Sequence, residues 1–276
     1  MDKRGITQFA VTLITNANLK GFWQGTIYKG NAKHICVPGL NCYSCPGALG
    51  ACPIGAMQAV ATTMKYNFSF YAVGFSVLLG AVFGRLICGW LCPFALIQEL
   101  LYKIPIHKIN VHHKLDKMLR YLKYIVLGLF VIILPMFFVN QFGLSSPYFC
   151  EYICPAGTLE GGIPLILFNQ SLRSTLGFLF VWKFFILAVI ILLSVVIYRP
   201  FCKYICPLGA FYALFNKISF YQYQVDKSNC TDCSACRQKC KMGIDIQQNP
   251  NSMECIRCGE CIKACPVESI KSKFIF

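Results

Sequence analysis

The sequence predicts an all-α membrane bundle of three to four transmembrane helices, followed by a small α+β module rich in cysteine. Three observations predict it. Hydrophobic residues make up 56% of the 276 residues and charged ones only 13%, against the ~25% charged that is usual in soluble domains. Several stretches are uncharged over nearly the ~20 residues that a bilayer core requires. The 18 cysteines fall into short, regularly spaced runs, and a chain this long and apolar is no secreted disulfide scaffold. The net charge of +15 collects at the ends of apolar segments, so no nucleic-acid partner is expected.

The elements follow in order. Gly5 to Leu19 is uncharged, and its residues Ile6, Phe9, Ala10, Leu13, Ile14 and Ala17 share one helical face. It is either a helix of the bundle or an interfacial one. Tyr66 to Gly84 closes at Arg85. Tyr124 to about Val139 has no following charge until Glu151, and Ser174 to Tyr198 is interrupted only by Lys183. These divide the chain into an N-terminal helix and cysteine segment (1–66), a bundle (67–216) and a C-terminal module (217–276).

Basic residues near helix ends mark the cytoplasmic side. Segment 88–123 holds Lys103, Lys108, Lys114, Lys117, Arg120 and Lys123 against Glu99 and Asp116; segment 140–175 holds Arg173 alone against Glu151 and Glu160. The expected place is therefore the cytoplasmic membrane, multi-pass. Residues 88–123 and 199–276 lie inside, and 36–52 and 140–175 outside.

Cysteine spacing carries the chemistry. Cys230, Cys233, Cys236 and Cys240 follow C-x2-C-x2-C-x3-C, and Cys255, Cys258, Cys261 and Cys265 repeat it, ending in Cys265-Pro266. In the two-cluster ferredoxin pattern the fourth cysteine of each run ligates the other cluster. One [4Fe–4S] set is then Cys230, Cys233, Cys236 and Cys265, and the other Cys255, Cys258, Cys261 and Cys240. Structural zinc gains nothing from an exchanged fourth ligand. Lys241 replaces the proline expected after Cys240, which alters a turn and not the ligand set.

Cys88-Gly-Trp-Leu-Cys92-Pro and Cys202-Lys-Tyr-Ile-Cys206-Pro are both C-x3-C-P, each with an arginine three residues upstream, Arg85 and Arg199. Proline after the second cysteine suits a helix start, where free amides and the dipole favour thiolate. The following helices are amphipathic. The four thiolates make a third cluster site at the inner face, with two redox disulfides as the alternative. Phe149-Cys-Glu-Tyr-Ile-Cys-Pro-Ala-Gly-Thr matches residues 201–210 at seven of ten positions, yet falls on the outer side. Its partners are then drawn from Cys36, Cys42, Cys45 and Cys52. The first choice for a fourth cluster is Cys45, Cys52, Cys150 and Cys154, with Cys36 and Cys42 as alternative ligands and external disulfides as the rival.

At these motifs the chain resembles the membrane polyferredoxins, over roughly 66–276. These include the quinol-dehydrogenase subunit of periplasmic nitrate reductase, the membrane part of the nitrous-oxide-reduction regulator and a ferredoxin-like cytochrome-oxidase assembly factor. The resemblance implies electron passage between the cytoplasmic side, or the quinone pool, and an outer redox partner. It also keeps two alternatives open: a quinol dehydrogenase subunit binding quinone, and a reductase or assembly factor for copper.

Lys183 inside an apolar helix offsets cluster charge or holds a quinone head group, unless it snorkels to the surface. Arg85 and Arg199 are expected behind the cluster ligands. Segment 217–276 has nine Lys/Arg against six Asp/Glu, which suits docking of an acidic soluble ferredoxin or flavodoxin. Clusters at the two surfaces of a ~30 Å core are too far apart for direct tunnelling. So either the Cys-Pro segments dip into the bundle, or a partner's cofactor bridges them. Irregular backbone at that depth must be buried by protein, so an oligomer or a partner subunit is expected.

Overall fold

The computed structural model describes residues 3–63, 70–109, 111–138, 145–174 and 176–275. Its bundle begins with α1 (Lys3–Thr15), the short α2 (Leu19–Gln24), an irregular cysteine loop and α3 (Pro53–Thr63). Next come α4 (Phe70–Phe83), α5 (Leu86–Trp90) and α6 (Pro93–Tyr102). The long α7 (Lys114–Phe137) leads through a wide turn at Phe149–Ile153 into α8 (Gly157–Phe168). Then α9 (Phe178–Val196) leads into α10 (Pro200–Tyr204) and α11 (Pro207–Phe215).

Among the described residues two helices, α7 and α9, are long and apolar enough to cross a membrane. The span expected from Tyr66 is the 14-residue α4, about 21 Å at 1.5 Å per residue, and Tyr66 to Ser69 lie outside the described residues. The helix that carries the span expected from Tyr124 starts ten residues earlier, at Lys114; Val139 lies outside the described residues. Helix α1 inverts the soluble pattern. Its apolar residues Ile6, Phe9, Leu13 and Ile14 are exposed, while Gln8 is fully buried, as suits a helix whose outer face meets lipid rather than water.

One unit recurs: a helix, a turn bearing cysteines, and a second helix starting at Cys-Pro. It occurs as α4–α5–α6, α7–turn–α8 and α9–α10–α11, and more loosely as α1–loop–α3. Proline at the first helical position costs no hydrogen bond and presets φ, and Cys92 and Cys206 occupy the N-caps with extended backbone.

The C-terminal module pairs β1 (Tyr221–Val225) with β2 (Ile270–Phe274), antiparallel, in register Tyr221↔Phe274 to Val225↔Ile270. Between them lie α12 (Ala235–Lys239) and α13 (Glu260–Lys263). The module is docked on the bundle. A Cβ on Gly89 would sit 2.2 Å from the Ile256 carbonyl oxygen, so only glycine admits this approach. Trp90 Nε1 donates to the Arg257 carbonyl, and the Arg257 guanidinium donates to the carbonyls of Phe83 and Asn216. Edge-to-face packing of Phe94 on Phe201, with ring centroids 5.1 Å apart, closes the bundle between the two C-x3-C-P turns, an arrangement worth about 0.5–1.5 kcal/mol beyond burial.

Candidate metal centres

In the C-terminal module Cys230, Cys233, Cys236 and Cys265 line one small hollow. Cys240 lies instead with Cys255, Cys258 and Cys261. Burial pushes the Cys261 thiol up to about 12, and Cys255, Cys258 and Cys240 add to the rise. Burial likewise pushes Cys255 up to about 11. Buried thiols gathered in this way release their protons to a bound cation. Both runs curl in the same way. The residues flanking the second cysteine have left-handed backbone, Asp232 and Ser234 in one run, Arg257 and Gly259 in the other, which bends each run around its centre.

In the bundle Cys88, Cys92, Cys202 and Cys206 are all buried and interact with one another. Gly209 N donates to Cys206 Sγ at 3.4 Å, and Gln98 Nε2 donates to Cys202 Sγ at 3.1 Å. Arg85 and Arg199 are both fully buried. Arg85 pairs with Glu254 at 2.9 Å, beside Cys255, and Lys123 pairs with the same carboxylate at 2.6 Å. Arg199 and Arg4 both pair with Glu99 at 2.8 Å, and Tyr198 donates its hydroxyl to that carboxylate. Arg85, Lys123 and Arg199 therefore each have a carboxylate, the condition under which burial of a charge is tolerable.

On the far side a cavity of about 620 Å³ is lined by Cys42, Cys52, Cys150 and Cys154, with Lys183 at its wall. Cys45 does not line it. Its Sγ is turned to Asn16 Oδ1 at 3.6 Å. Cys36 is buried in a parallel bridge with Ala51. Cys42 is held in place by Glu160, whose Oε2 accepts from Cys42 N at 2.6 Å. Burial pushes that carboxyl up to about 7, and its Oε1 is out of solvent without a partner. Lys183 Nζ donates to the Cys150 carbonyl at 3.1 Å.

The four Cys-Pro helices share two features, the first expected from the motif and the second not singled out by it. Three residues after Cys52, Cys92, Cys154 and Cys206, the amides of Gly55, Ala95, Gly157 and Gly209 interact with the cysteine, as expected at a helix start. Six residues after, Gln58, Gln98, Glu160 and Tyr212 each bond a cysteine loop of another unit. The signal was available: a polar side chain at one offset in four apolar helices.

The two sites meet inside the protein. A Cβ on Gly39 would lie 2.8 Å from Cys92 Cα, and Tyr212 donates to the Pro38 carbonyl at 3.0 Å. The successive amides of Leu40 and Asn41 interact with Cys92 and Cys52, one from each site. The 36–52 cysteine loop thus reaches the 88–92 turn.

All-thiol sets of four, curled backbone and amides aimed at sulfur fit [4Fe–4S] clusters, so the arrangement defines an iron–sulfur protein of the ferredoxin type. The comparisons agree. The sequence pattern of the 4Fe-4S binding domain matches residues 68–112, 126–166 and 178–220, each covering one unit of the bundle, and a second 4Fe-4S binding domain matches 250–271. The uncharacterized protein MJ0750 of Methanocaldococcus jannaschii is 33% identical over 72% of this chain and 76% of its own length. The regulatory protein NosR of Pseudomonas aeruginosa is 30% identical over 63% of this chain but only 22% of its own. The methylamine utilization ferredoxin-type protein MauN of Methylorubrum extorquens is 29% identical over 57% of this chain and 47% of its own. No solved structure matches. The chain belongs to the 4Fe-4S binding domain family, as a membrane-associated, ferredoxin-type electron-transfer protein.

Proposed function

We propose that this protein carries electrons across the cytoplasmic membrane, between a soluble ferredoxin- or flavodoxin-type partner at its C-terminal module and a redox partner or membrane subunit at the outer face. Bound [4Fe–4S] clusters supply the one-electron carriers. The chain holds them in four sets: Cys230, Cys233, Cys236 and Cys265; Cys255, Cys258, Cys261 and Cys240; Cys88, Cys92, Cys202 and Cys206; and Cys42, Cys52, Cys150 and Cys154. In the last set Cys42 takes the place first given to Cys45, because the cavity wall favours it. Arg85, Arg199 and Lys183 bind the backbone of the ligand turns and bring positive charge to anionic sites.

The observation that carries the reading is the shared loop. The amides of Leu40 and Asn41 interact with a cysteine of the inner and a cysteine of the outer set, so the two sites are not separated by a full ~30 Å hydrocarbon core. Cys-Pro segments that dip into the bundle answer the tunnelling problem within one chain. The experiment is anaerobic purification with iron quantitation and a reductive EPR titration. About 16 iron per chain in four reducible centres is expected; about eight, all in the C-terminal module, would overturn the proposal.

A second reading, oxidation of a membrane quinol, is favoured by one feature. A cavity of about 210 Å³ beside Cys240 and Cys258 is lined by apolar Leu96, Leu100 and Met242 together with the polar Arg4, Glu99 and Tyr198, a mixed lining that could hold a ring and its oxygens. Protection of the centres from quinol reduction by a bulky substitution at Leu96 tests it.

A further inference from the structure

We infer that Gln58 and Gln98 are matched positioning residues that raise the reduction potentials of the two bundle sites, each through one amide hydrogen bond to a single ligand thiolate. The inference rests on the four-thiolate reading above. The two side chains are bonded alike. Gln98 Oε1 accepts from Phe201 N at 3.2 Å, and its Nε2 donates to Cys202 Sγ at 3.1 Å and to the Phe94 carbonyl at 3.4 Å. Gln58 Oε1 accepts from Phe149 N at 3.0 Å, and its Nε2 donates to Cys150 Sγ at 3.1 Å and to the Ile54 carbonyl at 3.3 Å.

The phenylalanine N–H settles the orientation. Only the amide oxygen can accept it, so the NH2 end must face the sulfur. Both glutamines are buried, at 0% and 1% exposure, so water does not compete for the bond. A donor aimed at a ligand sulfur gains strength as the cluster takes up an electron and its sulfur becomes more negative. That favours the reduced state and raises the potential. Glu160 and Tyr212, at the same offset in the other two helices, bind backbone atoms instead. Each site therefore has one such donor, placed on the first cysteine of a Phe-Cys-x-Tyr-Ile-Cys-Pro turn. A purely structural latch would need only the acceptor for the phenylalanine N–H; the bond to sulfur is what a potential-setting role requires.

Gln98→Met and Gln58→Met nearly preserve volume while removing the donor. In an anaerobic EPR titration, Gln98→Met should lower the midpoint of the inner site alone and Gln58→Met that of the outer site alone, with iron content unchanged. Full iron with unmoved or raised midpoints would overturn the inference. Should either variant lose its cluster, the wild-type protein decides. Pulsed EPR after labelling glutamine side chains with nitrogen-15 should show coupling to one amide nitrogen at each reduced bundle site, and its absence refutes the bond. Wild-type protein holding only about eight iron would refute the four-thiolate reading itself, a distinct result.

Discussion

Arg85 and Arg199 cross over. Each stands three residues before its own C-x3-C-P motif, yet Arg85 Nη2 donates to the carbonyl of Cys202 at 3.3 Å and Arg199 Nη1 to the carbonyl of Cys88 at 2.7 Å. The two turns are thus bound to each other by the residues that precede them. Each arginine is also fastened to a carboxylate from a third element, Glu254 of the C-terminal module and Glu99 of α6. Arg85 links the inner turns to the residue next to Cys255, so the inner site and the nearer module site share one ionic frame.

Glu254→Gln should be among the most damaging single changes outside the cysteines. It leaves Arg85 and Lys123, both with fully buried side chains, facing each other without a carboxylate. Stranding a buried charge in this way costs about 3–5 kcal/mol. The expected result is a lowered thermal midpoint in detergent and easier proteolytic release of the module; an unchanged midpoint would show that the frame is not structural.

Much of this was readable in the sequence, for identifiable reasons. The gathering of Cys230, Cys233 and Cys236 around one hollow follows from spacing because local backbone alone brings them together. The choice between Cys42 and Cys45 did not follow. The proposal of Cys42 rests on Glu160 holding Cys42 N and Asn16 facing Cys45, contacts across more than a hundred and nearly thirty residues. Apolar periodicity found α1 but not its orientation, since lipid rewards the exposed apolar face that water would penalise. The extension of the α7 helix back to Lys114 is not legible in the sequence, because its basic residues are fixed by partners distant in the chain: Arg120 donates to the Met242 carbonyl and Lys123 is enclosed by Glu254.

Cys88→Ser or Cys206→Ser should remove about four iron per chain and leave the EPR spectrum of the two module sites in place, because the sets share no residue. Full iron in either variant would break the four-thiolate assignment at the inner turns.

At the outer site the prediction is a contrast. Cys42→Ala should lose about four iron, as should Cys150→Ala, whereas Cys45→Ala and Cys36→Ala should keep them. Iron lost from Cys45→Ala but not from Cys42→Ala would return the site to the other ligand set. Stoichiometric oxidation of Cys150 with Cys154 in an anaerobic preparation would replace the cluster by a disulfide.

Orientation is tested by reporters. One at the C-terminus and one near Lys114 should report cytoplasmic, and one near Ser171 external, following the Lys/Arg asymmetry between segments 88–123 and 140–175. An external C-terminus would reverse the direction of the whole assembly.

The last prediction concerns Gly39, where the outer loop touches the inner turn. A Cβ there would meet Cys92 Cα at 2.8 Å, the Leu91 carbonyl oxygen at 3.1 Å and Pro93 Cδ at 3.1 Å. Backbone lies on that side, and it cannot swing away as a flexible side chain would. Gly39→Val must therefore push the 38–41 loop off Cys92, drawing the amides of Leu40 and Asn41 away from the two cysteines they join. Iron content should hold, since neither ligand set includes residue 39. Electron transfer falls steeply with separation, so reduction of the outer site after rapid reduction of the module should slow many-fold, while reduction of the inner site keeps its rate. Rapid-freeze EPR resolves the two steps. An outer site reduced at the wild-type rate in Gly39→Val would mean that electrons reach it by some route other than the loop.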